Sequence, residues 1–223
     1  MAKLAIKYVW EIPVRLVHWV NALSIFILTV TGLFIAHPFT IVQSISPQTV
    51  MMWMRWVHFF FAFAFTVSIL YRIYWAFKGN EYAHWRVFFP YLTAEGRKEM
   101  IGALAFYTFL SRKAPDFVGH NPVAAAAYVF VFLMYFGLIA TGLILYGIHD
   151  PGGTVAAGTT WGTGIINEQA IRNIHHILMW LVIGFVIQHF YSGWLCDIKE
   201  RSGLISSIFS GYKTIHVHED HKH

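Results

Sequence analysis

Four long apolar runs, interrupted by few charges, dominate the chain at residues 13–35, 50–77, 122–148 and 170–194. A helix needs about 20 apolar residues to cross a hydrocarbon core about 30 Å thick, and each run is at least that long. The pattern therefore predicts an all-α membrane protein, a four-helix transmembrane bundle filling one domain over 1–223. Pro13, in the first turn of the first span, is tolerated because its missing N–H has no intrahelical partner there. Between the spans lie three connections. The first, 37–49, holds Pro38 and Pro47 and no lysine or arginine; the third, 150–169, is glycine-rich and equally free of them. The middle one, 79–121, is the longest and collects Arg86, Arg97, Lys98, Arg112 and Lys113. Within it, 98–112 alternates apolar and charged groups, which reads either as a helix in the membrane surface or as a solvated loop helix. A short polar lead, Met1 to Glu11, precedes the first span, and a tail with His216, His218, His221 and His223 follows the last; the tail reads as a solvated, mobile terminus.

Composition agrees: 57% of residues are hydrophobic, 18% aromatic and 12% charged. The formal net charge of +5 raises the question of nucleic acid, but orientation in a bilayer accounts for it better, and no nucleic-acid partner is expected. Of the sixteen lysines and arginines, all but Arg55 and Arg172 lie in the lead and first turn, the middle connection with its span ends, or the tail. By the positive-inside rule both termini are cytoplasmic, in a multi-pass protein of the bacterial cytoplasmic (inner) membrane. The run after Arg15 is too long for a signal h-region and lacks a small-residue cleavage site, so it is expected to remain as a span. Cys196 is the sole cysteine, which excludes an internal disulfide, an iron-sulfur cluster and a four-cysteine zinc site. It reads as a packing residue at a helix end.

Histidines carry the candidate chemistry. His175 and His189, on the fourth span, are fourteen residues apart, nearly four turns and roughly 21 Å along a helix, so they point to one side at two depths. An ionisable residue in hydrocarbon is costly and usually functional. The predicted topology sorts four histidines into two levels: His58 with His175 toward the periplasm, and His18 with His189 toward the cytoplasm. Two facing imidazoles per level fit the axial ligands of a haem b, whereas a bare metal ion held by imidazole alone needs three or four. Arg15, Arg55 and Arg172 each stand three residues before His18, His58 and His175, one turn nearer the surface, where a guanidinium can pair with a haem propionate. Taken singly, each arginine could instead be a snorkelling charge at a helix end. Thr31-Gly32-Leu33 is echoed by Thr141-Gly142-Leu143, and Gly32 and Gly142 allow either close approach of a haem or close helix packing. His176 points about 100° away from His175 and reads as a packing residue. His37 and His149 read as interface residues in the connections that follow the first and third spans.

Arg15-Leu16-Val17-His18-Trp19 followed by Leu28 and Thr31-Gly32, and Arg172 through His189 with His175-His176, Trp180 and Phe185, resemble the two signatures of the b-type cytochrome subunit of membrane-bound nickel-iron hydrogenases. Asn173, where that family usually has a smaller residue, departs from the pattern off the ligand face. The resemblance spans all four helices and extends in part to the wider superfamily of dihaem cytochromes b, which includes formate dehydrogenase and thiosulfate reductase anchors. It implies two haems b on His18, His58, His175 and His189. It also implies a partnership with periplasmic hydrogenase small and large subunits, whose chemistry supplies the electrons, and quinone as the acceptor. Gly119-His120-Asn121-Pro122 looks like the family's quinone segment toward the cytoplasmic haem. His120 and Asn121 would then contact quinone, or they simply cap the third span. Two other readings stay open: the cytochrome b of another periplasmic oxidoreductase such as formate dehydrogenase, and a transporter whose histidines relay protons.

Overall fold

A computed structural model of the chain describes residues 3–38, 46–108, 110–111, 122–159, 161–200 and 203–217. The predicted spans appear as α1 (Ile12–Ala36), α2 (Pro47–Lys78), α4 (Pro122–His149) and α7 (Glu168–Glu200), with α3 (Ala94–Tyr107) in the middle connection. Among the described residues four helices are long and apolar enough to cross a membrane, and the fold is that of an all-α membrane protein. The surface of α1 carries the membrane signature: Ile12, Leu16, Trp19, Leu23, Phe26 and Val30 are all exposed at a three-four spacing. A helix facing water would put polar residues on that stripe.

Boundaries differ from the expected ones for local reasons. α2 starts at Pro47, three residues early, because the Ser46 hydroxyl accepts from Thr49 N–H at 3.3 Å and proline suits a first helical position. α7 starts two residues early, where Asn167 Oδ1 accepts from Ala170 N–H at 2.8 Å, and it continues six residues past the expected end. The helix of the middle connection begins four residues before Lys98, after Thr93 Oγ1 accepts from Gly96 N–H at 3.1 Å. The glycine-rich third connection contains two short helices, α5 (Thr154–Thr159) and α6 (Trp161–Ile165).

The expectation of a mobile tail needs correction over Tyr212–Val217. β1 (Lys3–Tyr8) pairs antiparallel with β2 (Tyr212–Val217), in register from Lys3 opposite Val217 to Tyr8 opposite Tyr212. His216, read as part of a mobile tail, stands opposite Leu4 in this ladder. β2 follows α8 (Leu204–Ser210) across Gly211, whose φ of 89° is a left-handed conformation that closes the helix.

The chain divides into two compact units. One comprises Met1–Leu16, Arg72–Phe132 and Gly184–His223, and it holds both termini. Its core includes Val9, Trp10, Ala83, Phe88, Ala125 and Val131. Trp10 donates to Ser207 Oγ at 3.0 Å, and Glu11 Oε2 accepts from Trp75 Nε1 at 2.9 Å and from Asn80 N–H at 2.8 Å. Arg72, only 4% exposed, donates to the Ala83 carbonyl and lies over the rings of Phe88 and Tyr128, which stack 4.2 Å apart. The other unit comprises Val17–Tyr71 and Leu133–Ile183. Phe34, Phe65, Met134, Tyr135, Ile171 and Val182 are buried there, and Phe65 meets Tyr135 edge to face at 5.0 Å. At Gly137 a Cβ would sit 2.7 Å from Leu178 Cδ1, which is how closely α4 approaches α7.

Candidate haem site

Within the unit formed by Val17–Tyr71 and Leu133–Ile183, the inward sides of α1, α2, α4 and α7 enclose a cavity of about 760 Å³. That volume is in the range of small-molecule and cofactor sites, roughly 300–1,000 Å³. Its walls are mainly apolar, from Leu28, Phe65, Ile139 and Val182 among others. His58 on α2 and His175 on α7 both line it, as do Arg55, Arg172, Gly32 and Gly142. His58 and His175, expected at one level from the sequence, both line this one chamber.

Each of the two imidazoles is held the same way. Thr31 Oγ1 on α1 lies 2.9 Å from His58 Nδ1, and Thr141 Oγ1 on α4 lies 2.8 Å from His175 Nδ1. The adjoining glycines leave room for the rings: a Cβ at Gly32 would stand 3.3 Å from His58 Cε1, and a Cβ at Gly142 would stand 3.3 Å from His175 Cε1. The Thr-Gly echo seen in the sequence is therefore a pair of histidine seats. Glycine's role at both positions is toward the imidazole. The threonines were missed as partners because nothing in a single sequence distinguishes a threonine that seats a side chain from one that bonds only to its own helix. The repeat of the tripeptide was the available signal.

The arginines occupy different settings. Arg172 donates through Nε and Nη2 to Glu168 Oε1 one turn back, the shorter bond being 2.5 Å. Arg55, an exposed residue, also lines the cavity. Arg15 belongs to the other unit, where its guanidinium donates to the Phe209 carbonyl. His176 lines the same cavity as His175, but the threonine bond goes to His175. His37 and His149, both exposed, also line it, and the His149 ring lies 5.5 Å from that of Phe59.

His18 and His189 fall in different units. The His18 ring stands edge-on to Trp19 at 5.2 Å; the exposed His189 ring stacks on Phe185 at 5.7 Å. The quinone candidates His120 and Asn121 lie outside the described residues.

Two imidazoles at one chamber, with no cluster of three or more metal-ligating groups among the described residues, match the donor set of a bis-imidazole haem rather than that of a bare ion. The chamber's size, its apolar walls, the glycine seats and the two cations fit the same group.

Comparison with known proteins agrees with this geometry. Residues 9–211 match the family model described as prokaryotic cytochrome b561. A protein of Rhodobacter capsulatus described as a probable Ni/Fe-hydrogenase B-type cytochrome subunit is 38% identical over 213 residues, covering 93% of this chain and 81% of the relative. Proteins with the same description from Cupriavidus necator and, as the hydrogenase 1 subunit, from Escherichia coli K12 are 38% and 35% identical, covering 93% of this chain and 86% and 90% of their own lengths.

Proposed function

The chain belongs to the prokaryotic cytochrome b561 family, and from that premise we propose that it is the membrane-embedded cytochrome b subunit of a nickel-iron hydrogenase. In this role it takes electrons from hydrogenase small and large subunits on the periplasmic face and delivers them to quinone. The observation that carries the proposal is the seating of His58 and His175 by matching Thr-Gly pairs at one cavity, in a chain whose relatives are described as hydrogenase cytochromes. A haem b bound there supplies a one-electron centre that alternates between ferric and ferrous iron.

His58 and His175 would hold its iron, and Arg55 and Arg172 would offset the charge of its propionates. For Arg172 this means sharing its guanidinium with Glu168 or exchanging that partner. A second haem b is assigned to His18 and His189 from the fourteen-residue interval on the fourth span and the matching levels of the predicted topology. The excess of lysine and arginine near both termini supports cytoplasmic ends in the bacterial inner membrane. Quinone is assigned to that side, with His120 and Asn121 as contacts.

Oxidising hydrogen outside while reducing quinone near the inside makes turnover electrogenic, at a cost of about 2.3 kcal/mol per charge per 100 mV. The test is isolation of the intact complex followed by hydrogen-driven quinone reduction in sealed vesicles with a voltage-sensitive dye. The expected result is co-isolation with hydrogenase subunits, two haems b per chain and a potential that builds during turnover. Turnover in tight vesicles without a potential would move quinone reduction to the periplasmic side, and absence of hydrogenase subunits would assign the chain to another oxidoreductase.

A further inference from the structure

His58 and His175 share a detail that decides how their protons are placed. Thr31 Oγ1 lies 2.7 Å from the Ile27 carbonyl, and Thr141 Oγ1 lies 2.6 Å from the Gly137 carbonyl, each one turn back on its own helix. Two oxygens come that close in a hydrogen bond with a proton between them, and a carbonyl has none to give. The single hydroxyl proton of each threonine is therefore committed to its own backbone. What the hydroxyl presents to the imidazole, at 2.9 Å and 2.8 Å, is a lone pair. The ring nitrogen must be the donor, so Nδ1 carries the proton in both histidines.

We infer that Thr31 and Thr141 are positioning residues that fix His58 and His175 as Nδ1–H tautomers, presenting an unprotonated Nε2 as the iron ligand and strengthening both rings as electron donors. This rests on the haem reading above. The chemistry is that of an outer-shell partner: a hydrogen bond from the far ring nitrogen fixes orientation and raises ligand basicity. Gly32 and Gly142 complete each seat, because a Cβ at either would crowd Cε1 of the same ring at 3.3 Å. One seat is on α1 and serves a histidine of α2; the other is on α4 and serves a histidine of α7. Both axial ligands of one centre are thus tuned in the same direction. A more basic imidazole favours ferric over ferrous iron, so the two threonines together hold the midpoint potential of this haem down.

The experiment uses the purified complex with Thr31→Val, Thr141→Val, Thr31→Ser and Thr141→Ser. Valine keeps the branched shape and removes the acceptor; serine keeps the acceptor and removes the methyl. Redox titration of the haem b bands and low-temperature EPR of the ferric state are the readouts. The expected result is that each valine variant retains the haem with a raised midpoint potential and altered low-spin g values, that each serine variant stays at the wild-type potential, and that the other haem is unmoved. Unchanged potential and g values in valine variants that retain the haem would overturn the inference. So would equal shifts in serine and valine variants, which would show a packing role only. Should valine abolish binding, the serine variants decide: wild-type potential supports the hydrogen-bond role, and loss of the haem there too overturns it. Failure of the haem reading itself looks different, since His58→Ala and His175→Ala would then leave the haem count unchanged.

Discussion

The unit of Val17–Tyr71 and Leu133–Ile183 contains two of the chain's sixteen lysines and arginines, Arg55 and Arg172, and both line the cavity of His58 and His175. All the others belong to the unit that carries the termini. There the polar groups serve as structural ties: Glu11 accepts from Trp75 and Asn80, Trp10 donates to Ser207, and buried Arg72 is spread over two rings and a carbonyl. In the unit of Val17–Tyr71 and Leu133–Ile183 both arginines line one chamber with His58 and His175, and Thr31 and Thr141 hydrogen-bond those two histidines. A polar group in an apolar setting is costly without a partner, so its partners show its role.

Breaking the ligand set should give the largest effect. If the proposed pair of haems is present, His58→Ala is expected to remove one haem b and His18→Ala the other, each measured as the haem b content per polypeptide of the purified complex. Next in size is Gly142→Val. A Cβ alone would stand 3.3 Å from His175 Cε1, and the two further methyls cost about 1–3 kcal/mol of overpacking, so haem occupancy should fall while the complex still assembles. Gly32→Val should behave alike at His58.

A change confined to the other unit sharpens the contrast. Gly211 has φ 89°, and a Cβ there would lie 2.6 Å from Tyr8 Cε2 and 2.8 Å from the Trp10 carbonyl oxygen. Gly211→Ala should cost at least the roughly 1–2 kcal/mol of a left-handed residue, lowering thermal stability with the spectrum of the His58–His175 haem unchanged.

The smallest effect is expected at Lys7. Its amine lies over the Tyr82 ring at 4.9 Å and pairs with Glu81 at 3.1 Å. Hydrogen bonding to Tyr82 and then to Glu81 raises the Lys7 pKa, while Tyr82 and then Lys7 lower that of Glu81. The lysine contribution is present below its unfolded pKa and fades as pH rises through the folded one. The glutamate contribution is present above its unfolded pKa and fades as pH falls through its folded one. Both are present near neutrality. Solvent screens the pair, so Lys7→Ala should leave melting almost unchanged at neutral pH, and any difference should vanish in high salt.

Much of this was legible from residues alone because a span is a local property. Length and apolarity placed α1, α2, α4 and α7 to within a few residues, and a fourteen-residue interval placed two histidines on one side of a helix. What was not legible depends on contacts distant in sequence. Lys3–Tyr8 and Tyr212–Val217 are unremarkable as isolated hexapeptides, and their pairing across about two hundred positions leaves no periodic trace in either. The seats at Thr31 and Thr141 were visible as a repeated tripeptide, but their partners lie 27 and 34 residues away on other helices. Arg72 is buried because Phe88 and Tyr128, from the middle connection and α4, close over it, a contact that no local pattern announces.

The choice between His175 and its neighbour His176 tests the central claim most directly, since both line the cavity and His175 makes the hydrogen bond with Thr141. Haem b per polypeptide should be measured in the purified complex for wild type, His175→Ala and His176→Ala. The expected result is two haems in wild type and in His176→Ala, and one in His175→Ala. One haem in His176→Ala with two in His175→Ala would contradict the ligand assignment and the tautomer argument built on it.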